Sequence, residues 1–551
     1  MTETPATFAD VLLRRADDEH DGLLFEDSRW SWRELVQECA DRSAVLQELR
    51  RPERAFHVGV LLENVPEFLF LIGAGALSGA TVVGINSTRR GEELAADIRG
   101  VDCDLVVTDA HGAALLAGLD LGLPSERVLE CDGADWQARL ERHRGAPLEP
   151  TAEARDPRTL LMLLFTSGST GNPKAVICST GRMAMLASAN VMHITRDDVS
   201  YNAMPMFHGN AIMACFAPAA LVGGTFVLRR KFSASGFLPD VLRYGVTFFN
   251  YVGRSLAYLL HQPENPDEKR TRLRAAFGTE AAPLDRAEFE RRFGVAPTES
   301  YGSSEGAVVI SHGPDAPPGS LGTPPAVMPV QIQDPDGNEC PPAEFDVDGK
   351  LLNSAECIGE IVNTQGAMMF EGYYKNPEAT AARIDGTAYR SGDLGYRDKG
   401  GFFYFAGRAG DWMRVDSENF ASAPIERVLA RFPGVLLVAV YPVPDSRTGD
   451  RVMATLSMAD GEQFSPAAFY QFLTEQPDMG TKWAPTYVRL VEDVPVTATR
   501  KIDKMRLRRE SWLVDDPIYV REEDCYALLR EDKRAEILAE YAMFDRPTAA
   551  L

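Results

Sequence analysis

Short runs of apolar residues recur along the chain: Val58-Gly59-Val60-Leu61-Leu62, Leu105-Val106-Val107, Leu160 to Phe165, and Thr225-Phe226-Val227-Leu228. They are too short for helices and carry no polar alternation, which is the pattern of strands buried on both faces. Longer helix-compatible segments separate them, so the chain is predicted to build α/β layers with largely parallel sheets. Phe68 to Ile85 differs, being 18 residues without a charge, at the lower limit for crossing a membrane. Gly73, Gly75, Gly79 and Gly84 interrupt it, and Thr81-Val82-Val83-Gly84-Ile85 is rich in β-branched residues. A buried helix followed by a strand is therefore expected, not a membrane span.

Two Pro-containing breaks, His143 to Thr159 and Pro317 to Pro329, punctuate the pattern. After Phe405 the composition shifts: Ala406-Gly407-Arg408-Ala409-Gly410-Asp411 carries two glycines flanked by charge. Beyond it, Ser422-Ala423-Pro424 can start a helix and Val435 to Val440 is a continuous apolar run, the makings of a separate small α/β domain. The chain is thus divided into a large N-terminal domain, residues 1–409, and a small C-terminal domain, residues 410–551.

A length of 551 residues supports more than one core. The net charge of −23 argues against nucleic acid or an anionic membrane surface as the main partner. Eight scattered cysteines form no C-x-x-C pair and have no histidine at metal spacing, which fits free thiols in a reducing cytoplasm. The stretch Met1 to Asp21 has neither a basic start nor an apolar core, so no secretion signal is expected.

The apolar run from Leu160 opens into Thr166-Ser167-Gly168-Ser169-Thr170-Gly171-Asn172-Pro173-Lys174. Small residues after a buried strand let backbone N–H groups approach phosphate oxygens, and Lys174 adds a mobile positive charge. The spacing is not that of a Walker loop, since Gly168 and Gly171 stand too close and Ala175 follows the lysine. Further motifs follow in order. They are Met204-Pro205-Met206-Phe207-His208, Gly278-Thr279-Glu280-Ala281-Ala282-Pro283, Tyr301-Gly302-Ser303-Ser304-Glu305, Gly372-Tyr373-Tyr374-Lys375-Asn376-Pro377-Glu378-Ala379-Thr380, Tyr389-Arg390-Ser391-Gly392-Asp393, and Pro495 to Lys504.

This ordered set resembles the adenylate-forming superfamily, which includes acyl-CoA synthetases, aryl acid ligases, firefly luciferase and peptide-synthetase adenylation domains. The resemblance implies ATP and Mg²⁺, with the 166–174 loop and the Gly278-Thr279-Glu280 segment on the nucleotide. It implies that Tyr301 stacks on adenine, that Ser304 contacts the α-phosphate, with Gly302 and Ser303 beside it in the ATP site, and that Glu305 holds the metal, a residue type suited to a hard dication. Asp393 would accept from the ribose hydroxyls with Arg408 assisting, a carboxylate offering two oxygens to a vicinal diol. His208 would border the carboxylate pocket. Lys501, rather than the neighbouring Lys504, would bridge carboxylate and α-phosphate, neutralising charge that builds in the transition state.

Arg230 to Ser235, Tyr251-Val252-Gly253 and Asp516-Pro517-Ile518-Tyr519-Val520 resemble the branch of fatty acid transport proteins, very-long-chain acyl-CoA synthetases and mycobacterial fatty-acid or steroid-acid CoA ligases. It implies a small-molecule carboxylate substrate, CoA as co-substrate, and a C-terminal domain rotating about Gly410. Ser417 stands where acyl-CoA synthetases usually carry the glycine that lines the acceptor tunnel. That departure leaves open an adenylate passed to another acceptor, as in an amide ligase or a nitrite-activating diazotase of secondary metabolism. A non-catalytic nucleotide-binding protein is a third reading, countered by the presence of Glu305 and Lys501.

Overall fold

The computed structural model describes residues 4–166, 174–279, 281, 283–313, 315–317, 319–346, 351–408, 412–415, 418–446, 449–476, 479, 482–497, 501–522, 524–544 and 548. The chain divides into two compact units. The first comprises Met1–Thr279, Arg286–Thr298 and Met369–Ala381; the second comprises Glu280–Asp285, Glu299–Met368 and Ala382–Leu551.

The first unit holds the predicted parallel layers. One sheet runs Val128–Glu130, Cys103–Thr108, His57–Leu61, Thr81–Gly84 and Leu160–Thr166, all parallel, and ends on Lys174–Ser179, which is antiparallel to its neighbour. Its inner strands are buried along their whole length, as their unbroken apolar runs require. The 18-residue uncharged stretch is the helix Pro66–Ser78 and the strand Thr81–Gly84, turned by Gly79 in the left-handed conformation at φ 77°. Among the described residues no helix is long and apolar enough to cross a membrane.

A second parallel set lies in the same unit: Ala275–Thr279, Phe248–Val252, Val199–Asn202, Thr225–Leu228 and Asp21–Phe25, edged by antiparallel Ser28–Ser31. Asp198 braces the starts of three of these strands. Its carboxylate accepts from Arg274 Nε at 2.6 Å and Nη2 at 2.5 Å, from Thr247 Oγ1 at 2.7 Å, and from the Thr195 N–H and hydroxyl at 2.8 Å.

The second unit departs from the expectation of largely parallel sheets. Val330–Gln333, Gly359–Asn363, Ala388–Arg397 and Phe403–Arg408 pair antiparallel throughout, with Ile384–Asp385 beside Ala388–Arg397. The reason is in the connections: Phe403–Arg408 follows Ala388–Arg397 after a five-residue turn, too short for a crossover helix. Nearer the C-terminus, Val435–Pro444, Asp450–Met458, Tyr487–Val491, Ile518–Arg521 and Tyr526–Leu528 form a five-stranded mixed sheet. Alternation along Val435–Pro444 sends Val440 towards Ile425, Leu429 and Phe469, and sends Ala439 and Tyr441 towards Leu507 and Trp512. Both faces of that sheet are therefore packed.

Candidate active site

Within the first unit, the strands Leu160–Thr166 and Lys174–Ser179 place Thr166 opposite Lys174, the Thr166 hydroxyl donating to the Lys174 carbonyl at 3.4 Å. The loop between them thus begins and ends at one point on the sheet edge. Ser167, Gly168, Ser169, Thr170 and Gly171 lie outside the described residues. The Lys174 ammonium stands 5.3 Å above the ring of Tyr373. A loop at the C-terminal end of a parallel strand is where open α/β sheets place their ligands.

His208 follows the C-terminal end of another parallel strand, Val199–Asn202. Its Nδ1 accepts the Asn210 N–H at 3.2 Å, which leaves the neutral ring's proton on Nε2. The loop before it is tied down by Asn64, which donates to the Met204 carbonyl at 2.8 Å and accepts the Met206 N–H at 2.9 Å. A Cβ at Gly84 would come within 2.9 Å of the Phe207 backbone, so this close approach needs glycine. Directly after this loop comes a π-helix, Ala211–Phe216, a rare geometry often found near functional sites. Gly278 and Thr279 close the strand Ala275–Thr279, and a Cβ at Gly278 would overlap the Tyr251 ring. Glu280 lies outside the described residues.

Within the second unit, Tyr301 and Asp393, 92 positions apart, meet in a hydrogen bond of 2.7 Å from the phenol to Asp393 Oδ2. Burial first, and then the charge of Asp393, push the Tyr301 hydroxyl well above its ordinary value, so it stays a neutral donor. The Tyr301 ring centroid is 6.3 Å from that of Phe405. Gly302 and Ser303 are exposed and Ser304 half-buried, while Glu305 is buried in a turn closed by the Gly306 N–H on the Ser303 carbonyl at 2.9 Å.

Asp393 is held by its own neighbours. Gly392, at φ 72°, kinks the strand; its N–H donates to Glu360 Oε1 at 2.7 Å, and Arg390 pairs with Glu360 Oε2 at 2.6 Å. The Asp393 N–H donates to Ser391 Oγ at 3.1 Å, and that hydroxyl donates to the Ile361 carbonyl at 2.6 Å. In the register of the sheet Asp393 stands opposite Arg408, whose side chain is outside the description.

The Lys501 carbonyl accepts the Thr497 N–H at 2.7 Å beside a Val496–Ile502 bridge. Lys504, three residues on, is occupied as a structural group: its ammonium lies 2.8 Å from Glu426 Oε1 and 2.8 Å from Ser422 Oγ. Gly410 and Ser417 lie outside the described residues.

The AMP-binding enzyme family matches residues 13–374, and the AMP-binding enzyme C-terminal domain matches residues 424–501. The chain belongs to the AMP-binding enzyme family. This AMP-binding enzyme is 52% identical over 519 residues to the steroid-22-oyl-CoA synthetase of Rhodococcus jostii RHA1, covering 93% of this chain and 92% of that one. It is 45% identical to the medium/long-chain-fatty-acid–CoA ligase FadD17 of Mycobacterium tuberculosis, over 94% and 99% of the two chains. Among solved structures, the anthranilate CoA ligase AuaEII in complex with anthranoyl-AMP shares the fold at a TM-score of 0.80 and 21% identity, covering 92% and 97%. The amide bond synthetase McbA of Marinactinospora thermotolerans does so at 0.75 and 24%, covering 92% of this chain and 99% of its own.

Two parts of this arrangement went unread in the sequence. Glu360, 33 residues before Asp393, braces the Asp393 turn, and Tyr373 lies under Lys174. The Gly359-Glu360 and Gly372-Tyr373 strings were the available signals, but neither string by itself says what its side chain touches.

Proposed function

We propose that this AMP-binding enzyme is an ATP-dependent, AMP-forming acyl-CoA ligase that activates a steroid side-chain or medium- to long-chain carboxylic acid. The observation that carries the reading is the 52% identity, nearly end to end, with a steroid-22-oyl-CoA synthetase. The substrate carboxylate attacks the α-phosphorus of ATP, an acyl adenylate forms and pyrophosphate leaves; the CoA thiol then displaces AMP.

In this reading Thr166, the 167–171 loop and Lys174 take the phosphates, Gly278, Thr279, Glu280 and Tyr301 frame the adenine, and Gly302, Ser303 and Ser304 border the α-phosphate. Asp393 and Arg408 take the ribose. The tie from Tyr301 to Asp393 supports this, because it links the group meant for the base to the group meant for the sugar. Magnesium prefers one or two carboxylates together with phosphate oxygens and water, so Glu305 fits as its protein ligand. Bound there, the metal would neutralise triphosphate charge. Lys501 bridges carboxylate and α-phosphate; the commitment of Lys504 to Glu426 supports the choice between the two lysines. His208 orients the acyl carboxylate. Residues 1–409 form the nucleotide and acyl domain, and residues 410–551 turn on Gly410 between the two half-reactions, in a cytoplasmic enzyme whose CoA tunnel is lined by Ser417.

The test is incubation with ATP, Mg²⁺ and a panel of steroid and fatty acids, with and without CoA, reading AMP and product mass. CoA-dependent AMP with an acyl-CoA product is expected, and Lys501→Ala should abolish adenylation. AMP released without CoA alongside an amide or diazo product would overturn the choice of acceptor.

A further inference from the structure

The segment Met369–Ala381 belongs to the first unit although the sequence on either side of it belongs to the second. It lies along the strand Lys174–Ser179 as an added partner. The Ile177 N–H donates to the Gly372 carbonyl at 3.1 Å, the Tyr374 N–H donates to the Ala175 carbonyl at 2.8 Å, and Val176 bridges Tyr373 antiparallel. Both ends are pinned by side chains. Glu371 accepts from the Ser179 hydroxyl at 2.6 Å and from its N–H at 2.8 Å; at the other end Tyr374 donates to Asp102 at 2.8 Å and Lys375 pairs with it at 2.5 Å. Gly372, at φ 96°, and Lys375, at φ 51°, let the segment bend into and out of this short strand.

The strap buries Tyr373, 4% exposed, with its N–H on Thr380 Oγ1 at 3.0 Å and its ring edge-to-face with Phe370 at 5.0 Å. Its ring lies under the Lys174 ammonium at 5.3 Å, within cation–π range. We propose that Tyr373 is a positioning residue for ATP: its ring holds Lys174 at the mouth of the phosphate loop before nucleotide arrives. A lysine has a flexible four-carbon stem and loses rotamer freedom on engaging a phosphate. An ammonium resting on an aromatic face has lost much of that freedom already. The proposal rests on the reading that Lys174 meets nucleotide phosphate.

The experiment replaces Tyr373 with phenylalanine and with phenylalanines carrying successively more ring fluorines, which weaken the negative ring face while keeping shape. Each is made in the wild-type and Lys174→Met backgrounds. ATP–pyrophosphate exchange gives kcat/KM for ATP and KM for the acid, and thermal unfolding checks folding. Tyr373→Phe should stay within about threefold of wild type, and fluorination should lower kcat/KM for ATP progressively, by about tenfold in all. The acid KM and the unfolding temperature should not move, and fluorination should have no effect once Lys174 is methionine. A flat fluorine series beside an impaired Lys174→Met overturns the role of Tyr373 and leaves the phosphate reading standing. If Lys174→Met itself leaves kcat/KM for ATP unchanged, the phosphate reading falls, and the proposal with it.

Discussion

The parallel sheets of the first unit and the antiparallel sheet around Asp393 use polar residues in opposite ways. In the parallel sheets the strands are mostly apolar, with Ser200 and Asn250 as buried exceptions, and polar groups gather at the ends: Asp198, Thr247 and Arg274 at three strand starts, Thr166 and Thr279 at strand finishes. In the antiparallel sheet they sit mid-strand. Ala388–Arg397 carries Arg390, Ser391 and Asp393 in its interior, each bonded to a residue tens of positions away. A parallel sheet buried on both faces leaves little room for mid-strand polarity, whereas a twisted antiparallel sheet with a wetter face can carry a hydrogen-bonded network along it. Chemistry at strand ends should tolerate loss of its supports, and chemistry embedded in a network should not.

The sharpest way to break that contrast is Asp393→Ala. It removes the Asp393 acceptor of the Tyr301 phenol and, on the proposed reading, the ribose ligand together. KM for ATP should rise by about a hundredfold, with the acid KM little changed, as measured by pyrophosphate exchange. An unchanged KM would end the ribose assignment. Next in size is Glu360→Gln, which spares every group assigned to ATP but weakens the pairing with Arg390 and the bond from the Gly392 N–H. A fall of about tenfold in kcat/KM for ATP is expected. Arg390→Met should do the same, and the double variant no worse than either, because the two act as one brace.

The contrast also explains what could be read in advance. The strand Leu160–Thr166, the burial of Phe68 to Ile85 and the strand at Val435 were legible because the informative residues are adjacent and the periodicity is local. The antiparallel sheet was not, since its pairing depends on turns such as that after Arg397 rather than on a run of apolar residues. Likewise Lys501 and Lys504 look alike in a basic segment. Lys504 pairs with Glu426, 78 residues upstream, a partner that no local string reveals. The motif strings named candidate residues without revealing their partners.

A third variant tests the strand starts. The Asp198 carboxyl is held down to about 2: burial works against its charge, but Arg274, Thr247 and Thr195 outweigh burial. A carboxyl depressed in the folded state contributes stability above its ordinary value of 3.8, and loses it as pH falls towards the folded value. Asp198→Asn should therefore cost about 2 kcal/mol in urea unfolding at pH 7, and the difference from wild type should close as pH falls below about 4. The KM values for ATP and acid should be untouched, because this brace sits at the opposite ends of the strands from Thr279 and His208. A shift in either KM would mean that strand starts and strand ends are not separable in this sheet.

The smallest effect is expected where the strap meets Asp102. Lys375 and Asp102 pair at 2.5 Å, but their side chains are 59% and 42% exposed. Solvent screens such a pair, and the ordering of a long lysine offsets most of what remains, so Lys375→Met should change stability by less than about 1 kcal/mol. Salt gives the finer reading. If the pair matters only through charge, the small difference between Lys375→Met and wild type should vanish at high ionic strength. If it instead sets the backbone of the strap, at a residue whose φ of 51° is unusual for a side-chain-bearing residue, Lys375→Gly should be better tolerated than Lys375→Met at every salt concentration. The second outcome would make the strap a matter of backbone geometry; the first would place it with the side-chain networks of the antiparallel sheet.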